Sequence, residues 1–308
     1  MVQHVEHPAQ RGTAEVLGNF LREQYDVHKN KDRLARPLLV GLQGPQGSGK
    51  SFACNMVVGQ LAASTPALRV VILSLDDLYL PYDEITKIAT ANPNNALLQG
   101  RGQPLTHDLA LGTDILHKLR HINDAPHATV TLPQYDKSAR DGRGDRNPES
   151  RVIYGPVDII IFEGWCLGFR PQNMASIEAR RYDISQDSGA TLGRHRLEDI
   201  EMISKRLGEW EKQWYCCLDA FVQLSPITCD MASHWSLVYP WRLEAERNRK
   251  ARNGGRGMTD AEVWTFVQRF LPTYEAFDVD VRTQTRWPNR TLWIGIGPDR
   301  SVEKVAHV

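Results

Sequence analysis

The chain has 308 residues, 41% of them hydrophobic, which is enough for one large α/β domain or two smaller ones. Its 37 basic and 37 acidic side chains cancel, which argues against a dedicated nucleic-acid or membrane-surface protein, because those carry a basic excess. No apolar run reaches about 18 residues, the first residues read as neither a signal nor a transit peptide, and the five cysteines contain no Cys-x-x-Cys; the expectation is a reduced cytosolic or nuclear protein.

Residues 13–29 place Val16, Leu17, Phe20, Leu21 and Tyr25 on one helical face, with Thr13 as the expected N-cap. The apolar run 38–42 reads as a buried strand, residues 52–61 as a helix, and the β-branched run 67–75 as a strand buried on both faces. Residues 80–106, rich in Pro, Asn and Gly, predict loops with short helices. A helix over 107–122, a short strand over 128–132 and a polar loop over 133–149 follow. Residues 157–162 form another buried strand and 170–195 an irregular polar insertion. The remainder predicts helices over 197–218, 233–252 and 260–277, with strands at 220–224 and 291–296. Strands alternating with helices imply right-handed crossovers and a doubly wound parallel sheet in one α/β domain. In that domain 1–35 would be a helical extension, 80–150 an acceptor-binding region and 233–258 a lid.

The run from Gly44 to Ser51 fits G-x-x-x-x-G-K-[ST] at every fixed position and lies between a strand and a helix. Its glycines let backbone N–H groups turn onto phosphate oxygens at a helix N-terminus. Gly44, Gln46, Gly47, Ser48, Gly49, Lys50, Ser51 and Phe52 are therefore the expected nucleotide-binding residues. Lys50 would reach the β- and γ-phosphates and the Ser51 hydroxyl would ligate Mg²⁺. Asp76 and Asp77 follow the second buried strand, where ligands gather in a parallel sheet, and can hold a cation or accept a hydroxyl proton. A solvated helix cap is the alternative for this pair. Glu163 ends the apolar strand 158–162 in the manner of a Walker-B acid, whereas Asp158 stands at the wrong end for that role.

Residues 135–146 crowd cations, anions and glycines into a loop that either is solvated or holds an anionic acceptor through charge-assisted hydrogen bonds. Within it Asp141–Gly144 formally matches the D-x-x-G of GTPases, but no guanine-reading Asn-Lys-x-Asp follows. Residues 241–252 form an arginine-rich helix ending in a Gly-Gly-x-Gly segment, which suits a lid whose guanidinium groups meet the transferring phosphoryl. Arg247 is assigned that role. Cys229 and His234 lie near Cys216 and Cys217 but complete no ligand set, so no further metal site is expected.

In this order the elements resemble the P-loop small-molecule kinases that include uridine kinase, pantothenate kinase and phosphoribulokinase. Arg101, Thr106-His107-Asp108, Tyr135-Asp136-Lys137-Ser138, Gly142-Arg143-Gly144-Asp145-Arg146 and Glu163-Gly164-Trp165 look more specifically like plant-type D-glycerate 3-kinases and their fungal relatives. The resemblance implies a three-layer P-loop fold, ATP as donor with Mg²⁺ at Ser51 and Glu163, and Asp76 as the acceptor-activating carboxylate. It places Tyr79, Arg101, His107, Asp108, Tyr135, Lys137 and Arg146 around a small anionic acceptor, foremost D-glycerate. Gln103 and Leu105 depart from the Asn and Gly usual in that family. A nucleoside, pantothenate-like or sugar-phosphate acceptor, and a regulatory ATPase without a small acceptor, are the competing readings.

Overall fold

The computed structural model describes residues 8–31, 36–184, 190–227 and 235–308. Its centre is a six-stranded sheet in the order β2-β5-β1-β6-β7-β8. The strands are β1 (Leu38–Gln43), β2 (Val70–Ser74), β5 (Ile159–Gly164), β6 (Ala220–Pro226), β7 (Thr291–Ile296) and β8 (Val302–His307). The first five run parallel, as their continuous apolar sequences predict for strands covered on both faces. β8 returns antiparallel on β7, which corrects the expectation of a wholly parallel sheet. Its sequence, VEKVAH, lies mostly exposed on the sheet edge and carries no apolar run, so it is silent to the criterion that finds the others.

Period-two alternation divides the core into two layers. Leu38, Val40 and Leu42 of β1, with Ile159 and Ile161 of β5, pack under α1 (Pro8–Lys31) and α2 (Lys50–Ala62). Leu39, Ile160 and Phe162 face the opposite layer, built by α4 (Leu109–Arg120), α6 (Leu197–Gln213), α8 (Asp260–Gln268) and α9 (Leu271–Phe277). Thr13 lies buried inside α1 rather than capping it. The single helix expected over 260–277 breaks at Arg269-Phe270, where Pro272 in the first turn of α9 suits a helix start and not a helix interior. A capping box between Thr259 and Glu262 opens α8.

Two further corrections concern residues 133–149 and 170–195. Residues 133–149 are not a loop throughout: β3 (Thr129–Asp136) and β4 (Asp145–Tyr154) form an antiparallel hairpin separate from the main sheet, with an irregularity between Pro133 and Tyr135. Residues 174–184 of the expected irregular insertion fold as α5 (Met174–Ile184), whereas α3 (Tyr82–Ala91) is one of the short helices expected within 80–106. The arginine-rich helix is α7 (Val238–Arg252). Cys229 and His234 lie outside the described residues. No helix among the described residues is long and apolar enough to cross a membrane.

Candidate active site

The phosphate loop leaves β1 at Gln43 and closes onto α2 through Gly49, which caps the helix at φ +93°. Gly47 is also left-handed, at φ +76°, and a Cβ there would sit 2.5 Å from the Trp241 carbonyl carbon, so this turn accepts glycine alone. Lys50 is buried, with Nζ donating to the carbonyls of Gly44 (2.6 Å) and Pro45 (2.9 Å). Burial lowers its pKa, against the pull of Glu163 and Asp76. The loop is braced from outside by groups that the sequence reading did not single out. The Gln46 amide donates to Tyr274 Oη at 3.2 Å. Arg300 donates through Nε to the Gly47 carbonyl (2.7 Å) and through Nη2 to Glu244 (2.8 Å). The available signal for Arg300 was its place in the Gly-Pro-Asp-Arg turn beyond the carboxyl end of β7.

Parallel register aligns Ser74 with Glu163 at the ends of β2 and β5. The Ser74 hydroxyl donates to Glu163 Oε1 at 2.8 Å and the Ser51 hydroxyl to the same oxygen at 3.2 Å. A carboxylate and a hydroxyl meeting beside the phosphate loop are hard oxygen donors of the kind Mg²⁺ takes one or two of, leaving its other positions to phosphate and water. Among the described residues no group of three His, Cys, Asp or Glu side chains forms a cage of its own, as a site completed by nucleotide requires.

Beyond β2 the chain makes a single 3₁₀ turn, Leu75–Leu78, which sends its two acids in different directions. Asp76 forms an ion pair with Lys137 Nζ; the two side chains are 28% and 41% exposed. Burial alone would raise the Asp76 pKa, but the charge and hydrogen bond of Lys137 override it and hold the carboxyl well below the usual range. Asp77 instead accepts from the Tyr135 amide at 3.1 Å, and burial pushes its pKa up to about 6.

Lys50, Ser51, Asp76, Tyr79, Arg101, Lys137 and Glu163 line one cleft of about 620 Å³. The other expected acceptor residues, His107, Asp108, Tyr135 and Arg146, do not line this cleft and pack behind Tyr79. Tyr79 stacks on His107 with ring centroids 4.2 Å apart and meets Tyr135 at 5.2 Å. His107 is buried, its Nδ1 lies 3.2 Å from the Gln103 carbonyl, and burial lowers its pKa to about 4, so the imidazole is neutral at pH 7. Asp108 caps α4 by accepting from the Leu111 amide (3.0 Å) and pairs with Arg146 (3.3 Å), which also donates to the Tyr79 carbonyl (2.8 Å). Arg101 is buried over Phe266 and Tyr135 and donates to the Gly142 carbonyl at 2.7 Å, pinning the hairpin turn to the 101–106 segment. Gln103, one of the two departures, bridges to the helical layer: its amide accepts from Thr273 Oγ1 (2.7 Å) and donates to the Arg269 carbonyl (2.5 Å).

Arg247 does not reach the cleft. It stands on the outer face of α7, 62% exposed and paired with Asp260. Arg242 and Arg249 line the cleft instead, both paired with the buried Glu246, and burial lowers each pKa to about 10. Helical spacing explains the correction: residues seven apart share a face, whereas residue 247 is rotated about 140° from residue 242. Glu246 also accepts from the Met258 amide at 3.0 Å, which ties the far end of the glycine segment back to the helix.

No family model matches the chain. It is similar to the probable ATP-dependent kinase TDA10 of Saccharomyces cerevisiae, at 33% identity over 300 residues covering 94% of this chain and 93% of the yeast protein. It is 33% identical over 273 residues to the chloroplastic D-glycerate 3-kinase of Arabidopsis thaliana, covering 86% of this chain and about half (54%) of the plant protein. Among solved structures, a D-glycerate 3-kinase from Cryptococcus neoformans superposes with a TM-score of 0.84 and 34% identity, over 96% of this chain and 99% of the other.

Proposed function

The chain belongs to the D-glycerate 3-kinase-like family of P-loop kinases, ATP-dependent phosphotransferases with an alcohol group as acceptor, and we propose that its own acceptor is D-glycerate, phosphorylated at the 3-hydroxyl with Mg²⁺-ATP as donor. The observation that carries this reading is the sharing of one cleft by the phosphate loop and the Asp76–Lys137 pair. A donor site lies a side chain's reach from a carboxylate able to take a proton and an ammonium able to hold an acid.

The loop amides and the α2 N-terminus bind the β- and γ-phosphates, and Lys50 moves from the Gly44 and Pro45 carbonyls to phosphate oxygens. Ser51 and Glu163 would hold Mg²⁺, which would supply charge neutralisation at the transferring phosphoryl group. Asp76 orients the attacking hydroxyl and accepts its proton late in transfer. Lys137 holds the acceptor carboxylate. Arg242 and Arg249, aligned by Glu246, face the transferring group and help exclude water. Tyr79 lines the cleft with its ring stacked on the neutral His107 and tilted against Tyr135, a backing of fixed shape that suits a compact acceptor.

The test is ADP release from Mg²⁺-ATP against D-glycerate, uridine, pantothenate and ribulose 5-phosphate, with ³¹P NMR on the product. Turnover with D-glycerate alone, yielding the 3-phosphate ester, is the expected result. Faster turnover with any of the other three would move the acceptor assignment to that compound.

A further inference from the structure

We propose that Lys137 is an acceptor-operated latch on Asp76: the acceptor's carboxylate takes up the Lys137 ammonium, and Asp76 is thereby released to accept the hydroxyl proton. This rests on the reading of the cleft as that of a kinase for a small carboxylic acid, and adds how the enzyme senses that the acid has arrived.

The two partners differ in how firmly they are held. Asp76 sits in a turn whose flanks are fixed by the Asp108 amide donating to the Leu78 carbonyl (2.8 Å) and the Leu80 amide donating to the Thr106 carbonyl (2.9 Å). The backbone of Lys137 is also anchored: Arg101 donates to its carbonyl (3.4 Å), and the neighbouring Asp136 side chain accepts from the Ser138 amide (2.8 Å). What remains free to move is the four-carbon lysine stem, at 41% exposure. The lysine side of the pair opens to the cleft, and an ammonium carries three donors, so an incoming carboxylate can compete for it.

Other cations of the cleft, apart from the exposed Arg252 at the end of α7, are committed elsewhere. Lys50 is on the Gly44 and Pro45 carbonyls, Arg101 on Gly142, Arg242 and Arg249 on Glu246, and Arg300 on Gly47 and Glu244. Around Asp76 the charged neighbours are Lys137, Lys50, Asp77, Arg242 and Arg249, and the neutral titratable ones are His107, Tyr79, Tyr135 and Cys166. While Lys137 stays on Asp76, the carboxylate is a poor proton acceptor and water is a poor nucleophile. Once Lys137 turns to the acceptor, the hydroxyl oxygen bonds to the γ-phosphorus. The bond from that phosphorus to the β–γ bridging oxygen breaks with its electron pair going to ADP, and the hydroxyl proton passes to Asp76 and then to solvent. The latch thus couples acid recognition to base activation and suppresses hydrolysis of ATP.

The experiment compares wild type, Lys137→Met and Lys137→Arg with D-glycerate, with glycerol (the same hydroxyls without the acid) and with Mg²⁺-ATP alone. In Lys137→Met, KM for D-glycerate is expected to rise about tenfold or more with a smaller change in kcat. In the same variant, glycerol kcat/KM and acceptor-free ATP hydrolysis should each rise about tenfold. Lys137→Arg should restore the wild-type preference, and adding Asp76→Asn to Lys137→Met should abolish both gains. A Lys137→Met protein that binds ATP normally but lacks either gain overturns the latch. If wild type does not phosphorylate D-glycerate, the substrate assignment falls by itself, and acceptor-free hydrolysis in Lys137→Met still decides the latch: a rise upholds it, a flat rate overturns it.

Discussion

The two walls of the cleft are built on different principles. The donor wall is one contiguous stretch, β1, the glycine loop and α2, whose shape follows from local backbone preferences: left-handed glycines, a helix N-terminus, and a lysine folded back on its own loop. The acceptor wall is assembled from residues 76–79, 101–108, 135–146 and 242–249, far apart in sequence and joined by side chains bonded to backbone carbonyls and amides. A local motif can be carried whole from one chain to another, whereas an assembled wall can be retuned one residue at a time. This difference lets one nucleotide loop serve many acceptors.

The comparison can be broken from either side. The largest effect is expected for Lys50→Ala, which should slow phosphoryl transfer by about 10²–10³-fold and weaken ATP binding, read together by steady-state kinetics and calorimetric titration. Asp76→Asn should slow transfer by about 10²-fold while leaving the ATP dissociation constant nearly unchanged; loss of ATP binding in that variant would place Asp76 on the donor wall. Gly47→Ala drives a Cβ into the Trp241 backbone from a left-handed conformation and should cost about 1–3 kcal/mol in a urea melt.

On the arginine helix the contrast is between faces. Arg249→Ala should reduce kcat/KM by about tenfold, roughly the loss of 1.4 kcal/mol of transition-state contact, whereas Arg247→Ala should leave both rate and stability within about 0.5 kcal/mol of wild type. A further contrast is a pH dependence at Asp77. Its folded pKa, about 6, lies above the ordinary carboxylate value, so its contribution to stability is fully present below about pH 4 and is lost as pH rises through 6. Asp77→Asn keeps an acceptor for the Tyr135 amide and should flatten that part of the stability-versus-pH curve, which changes by at most about 1.4 kcal/mol per pH unit for one proton.

What could be read in advance follows the same division. The donor loop and the strands β1, β2, β5, β6 and β7 announce themselves as apolar runs with glycine punctuation. β4 does not, because Asp145–Tyr154 is polar and mostly exposed on both faces and finds its partner in β3 outside the main sheet. β8 escapes for the related reason that a half-exposed edge strand buries too little to shape its sequence. In the site, residue types and strand ends pointed to Lys50, Ser51, Asp76 and Glu163, which the fold brings together. The arginine was misplaced for want of helical phase, and Gln103 and Arg300 act through long-range contacts that no local pattern encodes.

The bond from Arg300 to the Gly47 carbonyl joins residues 253 positions apart. Translation delivers those residues at very different times. At about 5–20 residues per second, the glycine loop emerges roughly ten to fifty seconds before the arginine that clasps it. In that interval the strand–loop–helix segment from β1 to α2 has been made, yet its phosphate-binding turn lacks its last brace. The last brace of the phosphate loop thus comes from a residue that is made only after the final parallel strand.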